Sequence, residues 1–324
     1  MNRETNLLSI IIPAFNEEEN IPNLYKTITN VCKNLKIFKS YEIIVVNDGS
    51  RDNTLTLLKN ISKKDPQFKI ISFMRNFGHE AATTAGLFYA KGNAAVIIDA
   101  DLQDPPELIF EFEKEYINGY EIVYGQRSKR HGETVLKKLT SKLFYPIFRW
   151  LTKVDMPKDV GDFCLLSRKA IECFKQLPEK TLFVRGMIYW SGLPHKGIQF
   201  IRQERSKGTT KYNYWKLSIF AIDNIISFST TPIYFIIFLS LATIGVCLLG
   251  TIIALIMRLK GWVIMTGWTS LIISMLFLAS VTLFFLGLIG LYIGKIFQEV
   301  KQRPRYIVDE QVNISIDKEN NGNT

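Results

Sequence analysis

Short apolar runs alternate with polar stretches of helical length over the first part of the chain. Five runs rich in Ile, Val, Phe and Ala have the length of strands and occupy residues 8–13, 41–46, 68–74, 94–99 and 121–124. The segments between them are long enough for crossover helices, so the rhythm predicts an α/β fold with a mostly parallel sheet. A later stretch, residues 161–168, predicts one more strand that enters a short helix.

Two further stretches are apolar over a much greater length. Residues 224–257 and 261–294 contain no Asp, Glu, Lys or Arg, and each exceeds the ~20 residues that span a bilayer. The flanking segment 196–216 carries six basic residues and one acidic, and segment 295–305 carries four and one. The positive-inside rule therefore predicts a two-span hairpin with both flanks in the cytosol.

Two patterns beside these spans refine the membrane prediction. Aromatic and aliphatic residues recur at helical spacing over residues 214–228, as expected of a helix lying in the membrane interface or equally of an ordinary packing helix. Gly290-x-x-x-Gly294 allows close helix contact. That contact fits packing inside the hairpin, or a homo-oligomer.

Composition narrows the class of protein. The chain has 324 residues, 47% of them hydrophobic, and a formal net charge of +10, which excludes a disordered chain. The basic residues cluster near the apolar spans and around residues 127–153, so phosphate or anionic lipid is favoured over nucleic acid as a partner. The first apolar run is too short for a signal peptide. The four cysteines lack zinc or disulfide spacing, which predicts reduced thiols in a cytosolic domain.

Polar clusters follow four of the predicted strands. Ligands of parallel sheets bind at the carboxyl ends of strands, where these clusters are expected to converge. Each cluster alone has a simpler interpretation: Asp52 or Asp104 as a helix N-cap, Gly49 in a turn, and Pro106 at a helix start. Four clusters at one edge of a sheet favour a binding site.

Two of these clusters suit a nucleotide and a metal. Asp99 and Asp101 follow a buried apolar strand, and two carboxylates at that spacing suit Mg²⁺ or Mn²⁺ held together with substrate phosphates. Asn47 and Asp48 are placed to hydrogen-bond a nucleobase or ribose. Because the GxGxxG and GxxxxGK[ST] fingerprints are absent, the ligand predicted is a nucleoside diphosphate attached to another group. A basic loop suits its phosphates, with Arg205, Lys207 and Lys211.

Two histidines and the C-terminal segment are not expected to take part in the chemistry. His79 and His195 lack partners at ligand spacing, so loop or packing roles are expected for them. Residues 309–324 are rich in Asn and charge and are expected to be flexible.

The ordered set of motifs resembles the polyprenyl-phosphate glycosyltransferases of glycosyltransferase family 2, which include dolichol-phosphate mannosyltransferases and GtrB-type undecaprenyl-phosphate glucosyltransferases. The resemblance covers almost the whole chain. Its motifs are Pro13-x-x-Asn16-Glu17-x-x-Asn20, Val46-Asn47-Asp48-Gly49-Ser50-x-Asp52-x-Thr54, Arg75-Asn76-Phe77-Gly78, Asp99-Ala-Asp101-Leu-Gln-Asp104-Pro105-Pro106-Glu107, Gly161-Asp162-Phe163 and Arg205-x-x-Gly208-x-x-Lys211-Tyr212.

The resemblance implies an architecture and a location. It implies a cytosolic GT-A type domain over residues 1–211, with a mostly parallel sheet flanked by helices. An interfacial helix over 212–229, two transmembrane helices over 230–294 and a cytosolic tail over 295–324 follow. The protein is then expected to be a multi-pass protein of the plasma membrane.

The resemblance also implies roles for individual residues. The nucleotide-sugar is expected to contact Pro13, Asn16, Glu17, Asn47, Asp48, Asp99, Arg205 and Lys211. The metal is expected on Asp99 and Asp101, with Asp101 favoured as the direct ligand. Asp162 is expected near the acceptor, and Arg127 and Arg130 are expected to receive its phosphate. The catalytic group is therefore Asp162, Asp101 and Arg127.

The implied reaction is transfer of a hexose from a nucleotide-diphosphate sugar, best UDP-glucose, to a polyprenyl phosphate with inversion. A phosphomonoester with a second pKa near ~6 is already a nucleophile at neutral pH, so Asp162 is expected to orient the acceptor or to act as a base. Other donors remain open: UDP-N-acetylglucosamine, galactose or aminoarabinose donors, and GDP-mannose. A processive polysaccharide synthase and a non-catalytic membrane scaffold are the rival interpretations.

Two positions depart from the family pattern. Asn47 stands where many relatives have Asp. Cys164 stands where many have Arg, so a basic contact is expected to be missing or to come from Arg168 or Arg185.

Overall fold

The computed structural model of the chain describes residues 5–127, 160–177, 184–201, 231–260 and 267–314. The chain divides into two compact units. The first comprises residues 1–146, 154–211 and 303–324, and the second comprises residues 147–153 and 212–302.

The described part of the first unit contains eight strands and six helices. The strands are β1 (Leu7–Ala14), β2 (Ser40–Asn47), β3 (Phe68–Phe73), β4 (Ala94–Ile97), β5 (Ile122–Arg127), β6 (Val160–Ser167), β7 (His195–Phe200) and β8 (Val308–Val312). The helices are α1 (Ile21–Lys33), α2 (Thr54–Ser62), α3 (His79–Tyr89), α4 (Ile109–Ile117), α5 (Arg168–Lys175) and α6 (Val184–Trp190), with a 3₁₀ turn over Pro106–Leu108.

All eight strands form one sheet in the order β7-β5-β6-β4-β1-β2-β3-β8. The pairs β1–β2, β2–β3, β1–β4 and β5–β7 are parallel, whereas β4–β6, β5–β6 and β3–β8 are antiparallel. The five strands predicted from the first part of the chain are confirmed as β1 to β5. The stretch 161–168 is confirmed as β6 leading into α5.

Helices cover both faces of the sheet because side chains of a strand point alternately to opposite sides. On β1, Ile10 and Ile12 join the core formed with α1 and α4. Ile11 points the other way, where its Cγ2 lies beneath Gly86 of α3 so closely that a Cβ there would be 2.2 Å away. The sheet is thus the middle of three layers, and every residue of β1 after Leu7 is buried.

The sequence missed two strands at the margins of the sheet. β7 and β8 contain few apolar residues, so their pattern does not stand out from a polar loop. The expectation that residues 309–324 are flexible is wrong for the part that forms β8, which pairs antiparallel with β3. Backbone hydrogen bonds to a neighbouring strand decide this element, and they are invisible in the local pattern.

The second unit contains two long helices, α7 (Thr231–Leu259) and α8 (Trp268–Val300). Among the described residues, one helical stretch is long and apolar enough to cross a membrane: Ser274–Val300, with a mean hydropathy of 2.4 and no part of it buried. This helix continues beyond the predicted end of the second span at residue 294. The predicted interfacial helix over 212–229 lies outside the described residues.

Candidate active site

The carboxyl ends of β1, β2, β3 and β4 lie at one edge of the sheet because these four strands are mutually parallel. The polar clusters of the sequence therefore meet there, as predicted. β6 runs in the opposite direction next to β4, so its first residues arrive at the same edge. This edge of the sheet is the candidate active site.

Three side chains from three different elements converge at this edge. His79 Nε2 lies 3.7 Å from Asp99 Oδ1 and 3.5 Å from Asp162 Oδ2. Ligand atoms of all three lie within 4.8 Å of one another. The strand register explains the meeting of the two carboxylates, since Ile97 of β4 pairs with Cys164 of β6 and each Asp lies two residues further toward the edge.

The charges within the cluster shift the pKa of His79 and of Asp99. Burial alone would lower the pKa of His79, but a hydrogen bond with Asp162 and the charge of Asp99 outweigh burial and raise it to about 9. Burial raises the pKa of Asp99 to about 6, although His79 acts against this rise and Asp162 adds to it. The site is therefore one in which negative charge is concentrated and a cation is stabilised.

His79 is the site residue that sequence reasoning missed. A loop or packing role was expected because no ligand stands near it in the sequence, yet its side chain is 44% exposed and faces both carboxylates. The available signal was its position directly after the polar cluster that follows β3. For His195, the packing role is confirmed by ring contacts with Tyr124 and Tyr189.

The structure separates the two acids of the Asp99-x-Asp101 motif. Asp99 belongs to the cluster with His79, whereas Asp101 Oδ1 accepts a hydrogen bond from the backbone N–H of Gln103, 3.1 Å away. Leu102, which lies between Asp101 and Gln103, has a positive φ of 54°. The preference for Asp101 as the direct metal ligand stays a prediction.

The loop after β1 is joined to the loop after β2. The backbone N–H of Asn16 donates to Ser50 Oγ at 3.0 Å, and Asn16 Oδ1 accepts from the backbone N–H of Arg51 at 2.9 Å. The backbone N–H of Glu17 donates to Thr54 Oγ1 at 2.9 Å. These bonds hold Asn16 at a positive φ of 55° at the rim of the edge, whereas Pro13 lies buried within β1.

Asn47 and Asp48, which were predicted to contact the nucleobase, lie beneath the loops. Asn47 Nδ2 donates to Ser72 Oγ at 2.9 Å. Asp48 is only 2% exposed, and its carboxylate accepts from the backbone N–H groups of Phe77 (2.7 Å) and Gly78 (2.9 Å) and from Asn76 Nδ2 (2.9 Å). Asp48 thus anchors the loop that leads to His79, and its contact with a base stays a prediction.

Gly49 makes this arrangement sterically possible. It has a φ of +65°, and a Cβ on it would lie 2.3 Å from the carbonyl carbon of Arg75. The loops after β2 and β3 therefore touch through their backbones at a position that only glycine fits.

Arg127 approaches the site from the end of β5. Its Nη2 lies 3.5 Å from Oδ2 of Asp104, whose side chain is 1% exposed. A Cβ on Gly161 would lie 2.8 Å from the same Nη2, so the glycine before Asp162 makes room for the guanidinium. Asp104 therefore faces a cation, and the 3₁₀ turn that follows it has Pro105 as its N-cap, without a side-chain cap.

An apolar recess lies beside Asp162. Its lining includes Thr83, Ile97, Cys164 and Tyr189. The α6 side of this recess is fixed by Glu80, whose Oε2 accepts from the backbone N–H of Val184 at 2.9 Å. Cys164 thus places a small side chain, rather than a cation, at the wall of the recess.

The basic contact that Cys164 lacks does not come from Arg168. That guanidinium donates from Nε to the carbonyl of Gly92 at 2.9 Å, at the far end of β6. The expectation for Arg168 is wrong because β6 carries residues 162 and 168 to opposite edges of the sheet. Five other predicted residues are not placed: Arg130, Arg205, Lys207 and Lys211 lie outside the described residues, as does the side chain of Arg185.

Comparison with known proteins defines the class to which this fold and site belong. Glucosyl-3-phosphoglycerate synthase from Mycobacterium tuberculosis, solved with Mn²⁺, UDP and phosphoglyceric acid, superposes with a TM-score of 0.51 over 68% of this chain and 78% of that one, at 17% identity. This likeness establishes a GT-A-like α/β fold.

Sequence comparison then gives the family. The model for glycosyl transferase family 2 matches residues 9–174. The uncharacterized glycosyltransferase sll0501 from Synechocystis sp. is 44% identical over 310 residues, 94% of this chain and 95% of that protein. The bactoprenol glucosyl transferase of Shigella phage SfII is 38% identical over 301 residues, 93% and 97% of the two chains. The chain belongs to glycosyl transferase family 2, and it is a glycosyltransferase.

Proposed function

We propose that this enzyme transfers a hexose from a nucleotide-diphosphate sugar, best UDP-glucose, to a polyprenyl phosphate such as undecaprenyl phosphate. The observation that carries the proposal is the 38% identity to bactoprenol glucosyl transferases over 93% of this chain. That similarity spans the catalytic domain and both long helices, so it includes the part of the chain that would meet a lipid.

The donor is proposed to lie across the edge formed by the loops after β1 and β2. Asn16 and Glu17 stand at its rim, and Pro13, Asn47 and Asp48 support the loops beneath. The loop containing Arg205 and Lys211 is proposed to hold the diphosphate from the other side.

The residues of the cluster fit a divalent cation. Asp99 Oδ1 is buried and has no hydrogen-bond partner among the described residues, and two carboxylates and an imidazole are donors that Mn²⁺ accepts more readily than Mg²⁺. Ligands at adjacent octahedral positions lie ~3 Å apart, so the separations of 3.5 and 3.7 Å need only a small contraction. Asp99 and Asp101 are proposed to hold the ion, with His79 as a further ligand and Asp162 adjacent to it.

The chemistry would invert the anomeric carbon. One oxygen of the lipid phosphate forms the new bond to that carbon, while the bond to the nucleoside diphosphate breaks and the diphosphate leaves with its electron pair. When bound, the metal would neutralise charge on the leaving diphosphate. Asp162 orients the acceptor or takes a proton from a monoanionic phosphate, and Arg127, with Arg130, attracts the phosphate to the edge.

The two long helices are proposed to hold the enzyme at the membrane where its acceptor lies. α7 and α8 would both span the bilayer, with the sheet on the cytosolic side. The predicted positive-inside flanks and the apolar stretch Ser274–Val300 support this topology, and a multi-pass plasma-membrane protein follows from it.

The test uses membranes containing the full-length enzyme, supplied with undecaprenyl phosphate and a panel of labelled nucleotide sugars. We expect label to enter the organic phase from UDP-glucose, and chelation of divalent cations to abolish the transfer. Transfer from another donor alone would replace the sugar in the proposal. Transfer from none, with the protein folded and inserted, would refute the proposal and favour a different lipid acceptor first and a scaffold second.

Substitutions test the roles proposed for individual residues. Asp162→Asn and Asp101→Ala should each lower transfer at least about a hundredfold. Glu111→Gln is the matched control, because Glu111 is an exposed acid paired with Lys114 on α4. Binding of Mn²⁺, followed by its electron paramagnetic resonance without any donor, separates the metal ligands from residues that act only in the reaction.

A further inference from the structure

The chain returns to the catalytic sheet after its last long helix. We name residues 305–313 the return segment. Its strand β8 pairs with β3, and Asn313 Nδ2 donates to the carbonyls of Ser62 (2.9 Å) and Phe68 (3.0 Å) at the far end of that strand. Residues that follow α8 therefore form an integral part of the catalytic unit.

The return segment also contacts α3, the helix that begins with His79. Gln311 Nε2 donates to the hydroxyl of Tyr89 at 2.8 Å. The guanidinium of Arg305 lies 5.9 Å from the ring centroid of Phe88 and donates to the carbonyl of Leu177 at 2.9 Å. The last turn of α3 is thereby fixed to the return segment.

At the other end of α3, an aromatic stack connects the return segment to the candidate active site. The ring of Tyr306 stacks on Phe73 with centroids 4.9 Å apart and an angle of 13°. Phe73 in turn meets Phe77 edge to face at 5.8 Å. The backbone N–H of Met74 donates to the carbonyl of Ile307 at 3.1 Å, so backbone and side chains are joined at the same place.

Phe77 belongs to the loop whose backbone N–H groups are held by Asp48, and His79 follows two residues later. The loop is thus held from two sides: from below by a buried carboxylate, and from the side by the stack that ends in Tyr306. Aromatic pairs of this geometry stabilise a structure by more than the burial of their apolar area alone. The contact between Tyr306 and Phe73 is one between their rings.

We propose that Tyr306 is a positioning residue, which acts through Phe73 and Phe77 to hold the loop of residues 75–79, and hence His79, in place at the active edge. The return segment then has a function in catalysis as well as in completing the sheet. This inference rests on the proposed function for its activity readout alone.

The experiment compares Tyr306→Ala with Tyr306→Phe in the full-length enzyme by hydrogen–deuterium exchange. In Tyr306→Ala, we expect the backbone amides of Phe77 and Gly78 to exchange about tenfold faster, with amides of β1 unchanged. Tyr306→Phe keeps the ring and should stay within about twofold of wild type. If Tyr306→Ala fails to fold, Tyr306→Leu takes its place, since it keeps apolar bulk without a flat ring.

Glu310→Gln is the matched control on the same strand. It removes the ion pair with Lys59 of α2, 2.5 Å, and leaves the rings of the stack unchanged, so exchange of the loop should not change. With an active donor, Tyr306→Ala should lower kcat/KM about tenfold and Tyr306→Phe should restore it.

Unchanged exchange at Phe77 and Gly78 in folded Tyr306→Ala would overturn the proposal, as would equal loss in Tyr306→Phe. Because exchange is measured without substrate, these outcomes are independent of whether the proposed sugar transfer is found.

Discussion

Replacement of Asp48 tests whether its carboxylate anchors the loop before His79. The carboxylate receives three hydrogen bonds, two of them from the backbone N–H groups of Phe77 and Gly78. Asp48→Ala removes both acceptor oxygens and with them all three hydrogen bonds, so the loop is expected to open more often while the sheet stays folded.

The magnitude follows from two opposing terms. Hydrogen bonds to a charged group contribute about 1.5–3 kcal/mol each, and they are not additive. Burial raises the pKa of Asp48 in spite of these bonds, which means that burying its charge costs more than the bonds return. We therefore expect a loss near the lower limit, about 2 kcal/mol of local stability.

Hydrogen–deuterium exchange of the full-length protein measures this loss directly. A change of about 2 kcal/mol corresponds to about 30-fold faster exchange at Phe77 and Gly78. Asp52→Asn is the control, because Asp52 accepts from the backbone N–H groups of Glu18 and Thr54 in the neighbouring loop. Unchanged exchange in Asp48→Ala, together with weaker binding of the donor, would refute the anchoring role and favour contact with the base.

Three other substitutions or reactions follow from the packing. Gly86→Ala should lower the free energy of unfolding by about 1–3 kcal/mol, because its Cβ would meet a methyl of β1; an unchanged melting temperature would contradict this packing. Cys32 is buried and burial raises its pKa to about 12, so peptide mapping should find it unmodified by a thiol reagent at pH 8, where the less buried Cys173 reacts first. Arg127→Ala should destabilise the fold by about 3 kcal/mol, since it removes a cation that faces the buried Asp104. Thermal unfolding should show this loss of stability, and the loss should be smaller in Arg127→Lys, which keeps a positive charge.

Local patterns were sufficient for the core of the sheet. β1 and β2 are runs of Ile and Val buried on both faces, and such runs have few alternatives to a central strand. β7 and β8 lacked this signal, because edge strands expose half of their residues and take much of their stability from backbone pairing. The polar clusters after β1 to β4 were assigned to one edge correctly, since parallel strands leave no other arrangement.

The two long helices show the same division. Charge-free length predicted the two helices, and α8 includes a stretch that meets the requirements for a span. The helix α8 continues past the predicted end of the second span at residue 294, as far as Val300. A helix does not stop where its hydrophobicity stops, since backbone hydrogen bonds continue through polar residues.

The sequence by itself determined the fold class, the edge of the sheet that carries the chemistry and the glycosyltransferase family, because these depend on local periodicity and on residues close together in the chain. Only the tertiary structure decided which polar side chains meet. It brought His79 to Asp99 and Asp162, placed Asp48 under a loop, and returned the chain from α8 to the sheet. Those contacts depend on strand register and direction, which are set by packing between residues far apart in the sequence.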